Sequence, residues 1–350
     1  MKRTLNTTLL AAATSLTALS GLAHADTEAS FYGVLDVWAG SKELPGDDDS
    51  TAKLDAGGMT TSFLGAKIST DLPNGMKGVA VVESFLRPDT GEDRRYGGDE
   101  FFARNAYIGV VGDFGTLKAG RSTAPMFVPT LIANPFGGAF GFSPLIQHSF
   151  LGGNNGPMAG DSTWANALSY TTPTLGGVTA NVMYSFGEQE GDNGANRVGG
   201  NLTYRAGGLM LTAAGHSIQE GAIDTNGGVG DAGALGALEQ DGLMAGASYD
   251  FGVVKVFASY QQLETGTASG DIDTDTGQAG VSVPVGKGFA LASYATTDYS
   301  GSRDTDRDTW TVGYDYPFNE VLDVYVAFMR DDLEDTGAGN TYGVGSRFKF

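Results

Sequence analysis

The chain has 350 residues, with 41 Asp plus Glu against 21 Lys plus Arg, and this net charge of −20 argues against nucleic acid as a partner. It contains no cysteine, so neither disulfides nor thiolate metal ligation can hold it together. Glycine is abundant at 54 residues and charged residues make up only 18%, a composition that would suit a low-complexity segment, but a persistent two-residue periodicity excludes that reading.

Residues 1–25 open with Lys2 and Arg3, continue through an apolar run at 9–22 and end in Ala23-His24-Ala25. Two cations, an apolar stretch and an A-x-A site predict a secretory signal cut before Asp26. The alternative, a short membrane anchor, fails because threonines and serines interrupt the run before it approaches the roughly 20 apolar residues a spanning helix needs. The remainder, residues 26–350, carries 19 basic and 41 acidic side chains, a net charge of −22. No linker, helical stretch or change of pattern divides it, so the expectation is one closed sheet.

In chain order, the second predicted strand puts Leu64, Ala66 and Ile68 on one face and Lys67 and Asp71 on the other. The third puts Ala80, Val82 and Leu86 opposite Glu83 and Arg87, and Arg104 begins the next. Residues 123–163 then form a connection far longer than usual, which marks a functional loop. It runs through Asn134-Pro135-Phe136-Gly137-Gly138-Ala139-Phe140-Gly141-Phe142 and has no acidic residue before Asp161. So apolar a loop is out of place on a cell surface. Folded into a polar lumen it can pack on the wall and narrow the channel, because irregular backbone is tolerated where it lines a cavity. The expected constriction sets Phe136, Phe140 and Phe142 against Arg104, Lys67 and Arg87, with Glu83 as counter-charge and Lys118 joining them.

Farther on, Val178, Ala180, Val182, Tyr184 and Phe186 oppose Thr179, Asn181, Met183 and Ser185, and Val198, Gly200, Leu202 and Tyr204 oppose Arg197, Asn201, Thr203 and Arg205. The last strand sets Tyr342, Val344, Ser346, Phe348 and Phe350 against Gly343, Gly345, Arg347 and Lys349. Sixteen such segments of about ten residues predict an all-β transmembrane antiparallel barrel, apolar toward lipid and polar toward water. Short turns such as Pro73-Asn74-Gly75 and Gly207-Gly208 alternate with longer acidic stretches at 47–49, 89–93, 188–192, 271–275 and 331–335, as periplasmic turns and extracellular loops do. A soluble sandwich also alternates, but aromatics gather near the strand ends, among them Phe31, Tyr170, Phe186, Phe251, Tyr260 and Tyr316, as interfacial girdles require.

Several stretches together resemble the general porin family of Gram-negative outer membranes: Tyr32-Gly33-Val34-Leu35-Asp36, Glu83-Ser84, Arg104-Asn105-Ala106-Tyr107-Ile108-Gly109, Gly112-Asp113-Phe114-Gly115-Thr116-Leu117, Gly120-Arg121, Asn166-Ala167-Leu168-Ser169-Tyr170, Thr172-Pro173 and terminal Phe350. The resemblance implies a trimeric sixteen-stranded channel whose third loop folds inward as an eyelet. Pro135, Phe136 and the glycine pair look like the family's loop-three turn without its usual acid. Arg104 matches a wall position where members carry arginine, while Phe63 and Thr163 stand where many have others. The neighbourhood of Arg121 contributes to the trimer contact in porins, and a latch to a neighbouring loop is the equal alternative.

The function implied is passive diffusion of small hydrophilic solutes and ions, selected by pore width and lining charge. The sign of the selectivity stays open, since abundant acid favours cations and local basic residues favour anions. A substrate-specific channel with a greasy aromatic track is one rival, and a barrel enzyme another. His148 and His216 present no Ser/His pair, so both read as structural. The expected partners are a homotrimer, lipid and lipopolysaccharide, and an assembly machinery that reads the strand ending in Phe350. No cofactor is expected beyond loosely held Ca²⁺ or Mg²⁺ at Asp47, Asp48 and Asp49.

Overall fold

Strands that alternate β-branched or aromatic residues with small polar ones pair in sequence order, and the sheet they make closes on itself. The computed structural model describes residues 27–95, 99–151, 159–188, 190, 194–219 and 237–350. The expected leader at 1–25 lies outside the described residues, as do residues 189, 191 and 192 of the acidic run at 188–192 and residues 152–158 of the third loop.

The described strands are β1 (Thr27–Lys42), β2 (Thr51–Ala56), β3 (Phe63–Asp71), β4 (Lys77–Phe85), β5 (Asn105–Gly112), β6 (Gly115–Thr123), β7 (Thr163–Thr171), β8 (Val178–Ser185) and β9 (Arg197–Ala206). They continue with β10 (Leu209–Ile218), β11 (Ala237–Asp250), β12 (Lys255–Thr267), β13 (Ile272–Val285), β14 (Gly288–Gly301), β15 (Thr305–Pro317), β16 (Leu322–Leu333) and β17 (Gly337–Lys349). From β3 onward each pairs antiparallel with the next, and β1 pairs β17 from Val34↔Lys349 to Ser41↔Tyr342, which closes the ring. The other edge of β1 is shared: β3 covers Thr27 to Val34 and β2 covers Val37 to Lys42. Strands β2 and β3 are therefore two halves of one wall strand, and the barrel has the sixteen staves expected. Residues 57–62 leave the sheet between those halves, opposite Leu35 and Asp36. Gly33 and Phe350 exchange both backbone hydrogen bonds, at 3.0 and 3.2 Å, so the last residue completes the seam.

Parity sorts the side chains. In β12, Phe257, Ser259, Gln261, Leu263 and Thr265 are buried while Val256, Ala258, Tyr260, Gln262 and Glu264 are exposed. Ile108, Leu117, Leu168, Val182, Leu243 and Val344 all stand exposed on the outside, an apolar surface that suits lipid rather than water. Two of the acidic runs expected as loops lie largely in strands. Residues 272–275 begin β13, with Asp273 and Asp275 outward and Ile272 and Thr274 inward, and Asp331 and Asp332 belong to β16. Strand length explains the difference: β5 has 8 residues and β13 has 14, so at about 3.4 Å per residue and a tilt of about 40° the longer strands rise roughly 15 Å farther and carry their acids above the apolar band.

Within the third loop, α1 (Phe127–Ile132) and α2 (Pro144–Phe150) are short helices. Pro144 at the first position and Ser143, whose hydroxyl accepts the Ile146 N–H at 3.4 Å, start α2. Helix α1 packs on β10 and β11, and α2 on β13, β14 and β15, always against inward-facing residues. The loop therefore occupies one side of the space the barrel encloses.

Candidate pore constriction

Two apolar clusters fix the third loop to the wall. Met126, Ala133, Leu145, Ile146 and Phe150 pack with Ala214, Met244 and Leu263. Phe136, Ala139 and Phe142 pack with Trp38, Met59, Leu291, Tyr325 and Met329. At the apex, Asn134 organises the turn: its Oδ1 accepts from the Phe136 N–H at 2.8 Å and the Ser143 hydroxyl at 3.0 Å, while its Nδ2 donates to Gly137 O at 3.0 Å.

Between the clusters the anchoring is polar. The Arg307 guanidinium forms a bidentate pair with Asp331 at 2.9 and 2.8 Å, and both side chains are only 2% exposed. The same guanidinium donates to Gln147 O and Leu151 O at 3.2 and 3.3 Å, satisfying carbonyls at the end of α2. His148 is buried with Nδ1 2.6 Å from Thr297 Oγ1 and Nε2 2.7 Å from Thr309 Oγ1. Because Thr309 donates its own proton to Asp331 Oδ1 at 2.6 Å, it must accept from Nε2–H, which makes Nδ1 the acceptor from Thr297. Burial, reinforced by the Arg307 charge, holds the His148 pKa well below its ordinary value, so the ring is neutral.

The opposite wall stays open, since inward residues of β3, β5, β6 and β9 such as Lys67, Tyr107, Lys118 and Arg205 keep exposure to the lumen. There Glu83 is buried and accepts from the Tyr32 hydroxyl at 2.6 Å, from Asn105 Nδ2 and from the Arg104 guanidinium. Arg104 also lies 3.8 Å over the Phe63 ring, and the Lys118 ammonium lies 4.6 Å from the Tyr107 ring centre. Lys67, one strand from Val81 and two from Tyr107, faces the same water.

A closed barrel with an inward loop against one wall and a basic open wall is the architecture of a diffusion channel. The family model for Gram-negative porins matches residues 12–336. The chain belongs to the Gram-negative porin family. Its relatives include outer membrane porin protein 32 of Delftia acidovorans, 28% identical over 91% of this chain and 88% of that protein. An outer membrane porin protein of Bordetella pertussis is 26% identical over 96% of this chain and 88% of its own length. Among solved structures, an anion-selective porin from Comamonas acidovorans superposes with a TM-score of 0.76 at 25% identity, covering 93% of this chain and all of that one. This porin is an outer-membrane channel for passive diffusion.

The porin's geometry sorts the residues expected at the constriction. Arg104, Glu83, Lys118 and Lys67 do share the lumenal side of β3 to β6. Arg87 is elsewhere: it is held at the extracellular end by Asp55 at 3.3 Å, Asp89 at 3.2 Å and Glu92 at 3.5 Å, so surrounding acid more than cancels its charge. Phe136 and Phe142 do not face the water either, being 3% and 0% exposed. Their rings bury more apolar surface against Trp38, Tyr325 and Met329 than they would lining the pore. Phe140 is half-buried and packs tilted against Phe127 and Phe150, with ring centres 6.1 and 6.4 Å away. Arg121 is engaged within its own chain, donating to Ala103 O at 2.5 Å and lying 3.7 Å from Asp161 at the end of the third loop. Asp47 accepts the Leu44 N–H at 2.8 Å within its own turn, while Asp48 and Asp49 are exposed.

Sequence reasoning overlooked Asp36, Trp38 and Tyr325. The signal was available for Asp36, which alternates with Val34 and Trp38 on the inward face of β1, but its partners are distant in sequence: Tyr325 donates to it at 2.6 Å across 289 residues.

Proposed function

We propose that this porin passes small hydrophilic solutes with a weak preference for anions, through the gap between the third loop and the open wall. One observation carries the sign. On that wall the single acid near the narrow level, Glu83, is buried and saturated by Arg104, Asn105 and Tyr32, whereas Lys67 and Lys118 face the lumen with no carboxylate within ion-pair distance among the described residues. The net acidity of the chain does not decide the matter, because much of it stands on the outward upper ends of the long strands. A local field acts over the Debye length of about 10 Å at 0.1 M salt, so near charges outweigh distant ones. The relative described as anion-selective supports the same sign.

A substrate-specific aromatic track loses its footing, since two of its three rings are packed away from water. The reading includes a homotrimer set in lipid and lipopolysaccharide. An apolar concavity of about 620 Å³ on the outside of β5 to β9, bordered by Ile108, Leu117, Leu168, Tyr170 and Val198, supports association there. Assembly through the strand ending in Phe350 belongs to the same reading, because that residue closes the seam.

The test is the reversal potential of the purified protein in a planar bilayer under a salt gradient. The wild type is expected to favour the anion, and Lys67→Ala/Lys118→Ala to move toward the cation. A unit charge about 6 Å from an ion in water is worth about 0.7 kcal/mol, favourable to one sign and unfavourable to the other, so it changes the permeability ratio roughly tenfold. A potential that the double substitution leaves unmoved would falsify the assignment of these lysines.

A further inference from the structure

The interruption of the second wall strand is the feature of the barrel that the channel reading leaves unused. Residues 57–62 replace two positions of the strand and turn into the lumen, where they are tied to β1. The Gly57 N–H donates to Asp36 O at 3.0 Å, and the Asp36 N–H donates to Ser62 Oγ at 2.8 Å. The Asp36 carboxylate, fully buried, accepts from Met59 N–H at 2.9 Å and Thr60 N–H at 2.8 Å through one oxygen and from the Tyr325 hydroxyl at 2.6 Å through the other. A second anchor comes from β17: Arg347, held by Asp315 and Asp323 at 2.8 and 3.0 Å, donates to Thr60 Oγ1 at 3.1 Å.

This bulge touches the apex of the third loop backbone to backbone. The Gly141 N–H donates to Gly58 O at 3.2 Å. A Cβ at Gly141 would meet Gly58 Cα at 2.8 Å and Gly58 O at 2.9 Å, and a Cβ at Gly58 would meet the Tyr325 hydroxyl at 2.1 Å. Both glycines are required by close approach, since neither has positive φ. Next to them, Phe142 sits between Trp38 at 5.3 Å and Tyr325 at 6.4 Å, while Met59 belongs to the same apolar cluster.

We propose that residues 57–62 are an inward stop against which the third loop rests, that the Gly58–Gly141 contact sets the width of the gap to the open wall, and that Asp36 is the positioning residue that holds the stop in place. The physical reason is that a loop anchored only by side chains can settle over a range of depths, whereas a backbone hydrogen bond between two glycines fixes one. Asp36 acts through the stop and touches no solute. The inference rests on the reading of the third loop as the constriction.

Single-channel conductance and liposome swelling with sugars of increasing size test it. Gly141→Ala pushes the apex off the stop toward the open wall, so conductance should fall by about a quarter and the largest permeant sugar should be excluded. Asp36→Asn replaces the charged acceptor by a neutral amide, whose oxygen accepts more weakly from the Met59 and Thr60 N–H groups and whose nitrogen takes the place of the oxygen that accepts from the Tyr325 hydroxyl, and should add frequent current substates at unchanged reversal potential. Thr60→Val, which removes the Arg347 bond and the bond that the Thr60 hydroxyl donates to Met59 O at 2.8 Å while leaving the Asp36 carboxylate in place, should add the same substates more rarely and serves if Asp36→Asn does not assemble. Conductance and sieving unchanged in assembled Gly141→Ala would overturn the proposal. A control deleting residues 136–142 separates the two levels: if it too leaves conductance unchanged, the constriction reading itself fails, and if it widens the pore while Gly141→Ala has no effect, only the stop is wrong.

Discussion

Asp331→Asn isolates the polar link between wall and loop. It leaves the Arg307 guanidinium buried beside a neutral amide, in contact with Gln147 O and Leu151 O, and stranding one member of a buried ion pair costs about 3–5 kcal/mol. If docking of α2 absorbs the lower figure, the population of undocked loop rises about 150-fold, at roughly 1.4 kcal/mol per decade. The chain has no cysteine, so Ser149→Cys supplies a lone thiol at a site that is 1% exposed and hydrogen-bonded to Gln261 at 2.7 Å. Its rate of reaction with a small charged thiol reagent reports loop opening, and both proteins share this background, so the ratio cancels the cost of the reporter. The expected ratio is about two decades. Arg307→Met/Asp331→Leu leaves no stranded charge; within the wall it also loses the Thr309 bond to Asp331, but between wall and loop it removes only the bonds to two carbonyls, about 1 kcal/mol each, and should open the loop less than Asp331→Asn does. A labelling ratio below about threefold for Asp331→Asn would refute the argument that this pair, rather than the apolar clusters, limits undocking.

The same thiol reports on pH. An undocked His148 titrates near 6.5, whereas the docked ring is held neutral, so docking is at full strength above that value and weakens as pH falls below it. Labelling, corrected against a thiol at exposed Ser300, should therefore rise between pH 7 and pH 5, by up to about 30-fold, and His148→Asn should flatten the profile. Glu83→Gln releases Arg104 from its counter-charge without adding bulk, so the reversal potential should move toward anions by roughly the tenfold change in permeability ratio of one unit charge, opposite in sign to the lysine substitutions. An unmoved potential would place the pair away from the narrow level.

The alternation of side chains along the chain determined the barrel and the outward face of each strand, because a period of two leaves no choice over which residues meet lipid once one face is apolar. Length and the lack of acid marked 123–163 as a segment that had to be inside, and parity placed Glu83 and Lys67 on the lumenal side, while Arg104 came from the family resemblance. Only the closed tertiary structure decided which wall the loop covers. Arg104 and Arg307 both reach the lumenal side, but the loop buries Arg307 under α2 and leaves Arg104 beside the gap. Phe136 and Phe142 were expected at the gap because the loop that carries them folds into the lumen; their burial depends on Trp38 and Tyr325, which flank β17 from β1 and β16 and come together only when the ring closes. The stop at residues 57–62 was likewise invisible, since its meaning lies in one carboxylate reached from 289 residues away and in two glycines whose backbones touch. Periodicity is a local property and fixes the face of each side chain, whereas the depth of a folded-in loop depends on contacts that exist only after the sheet has closed.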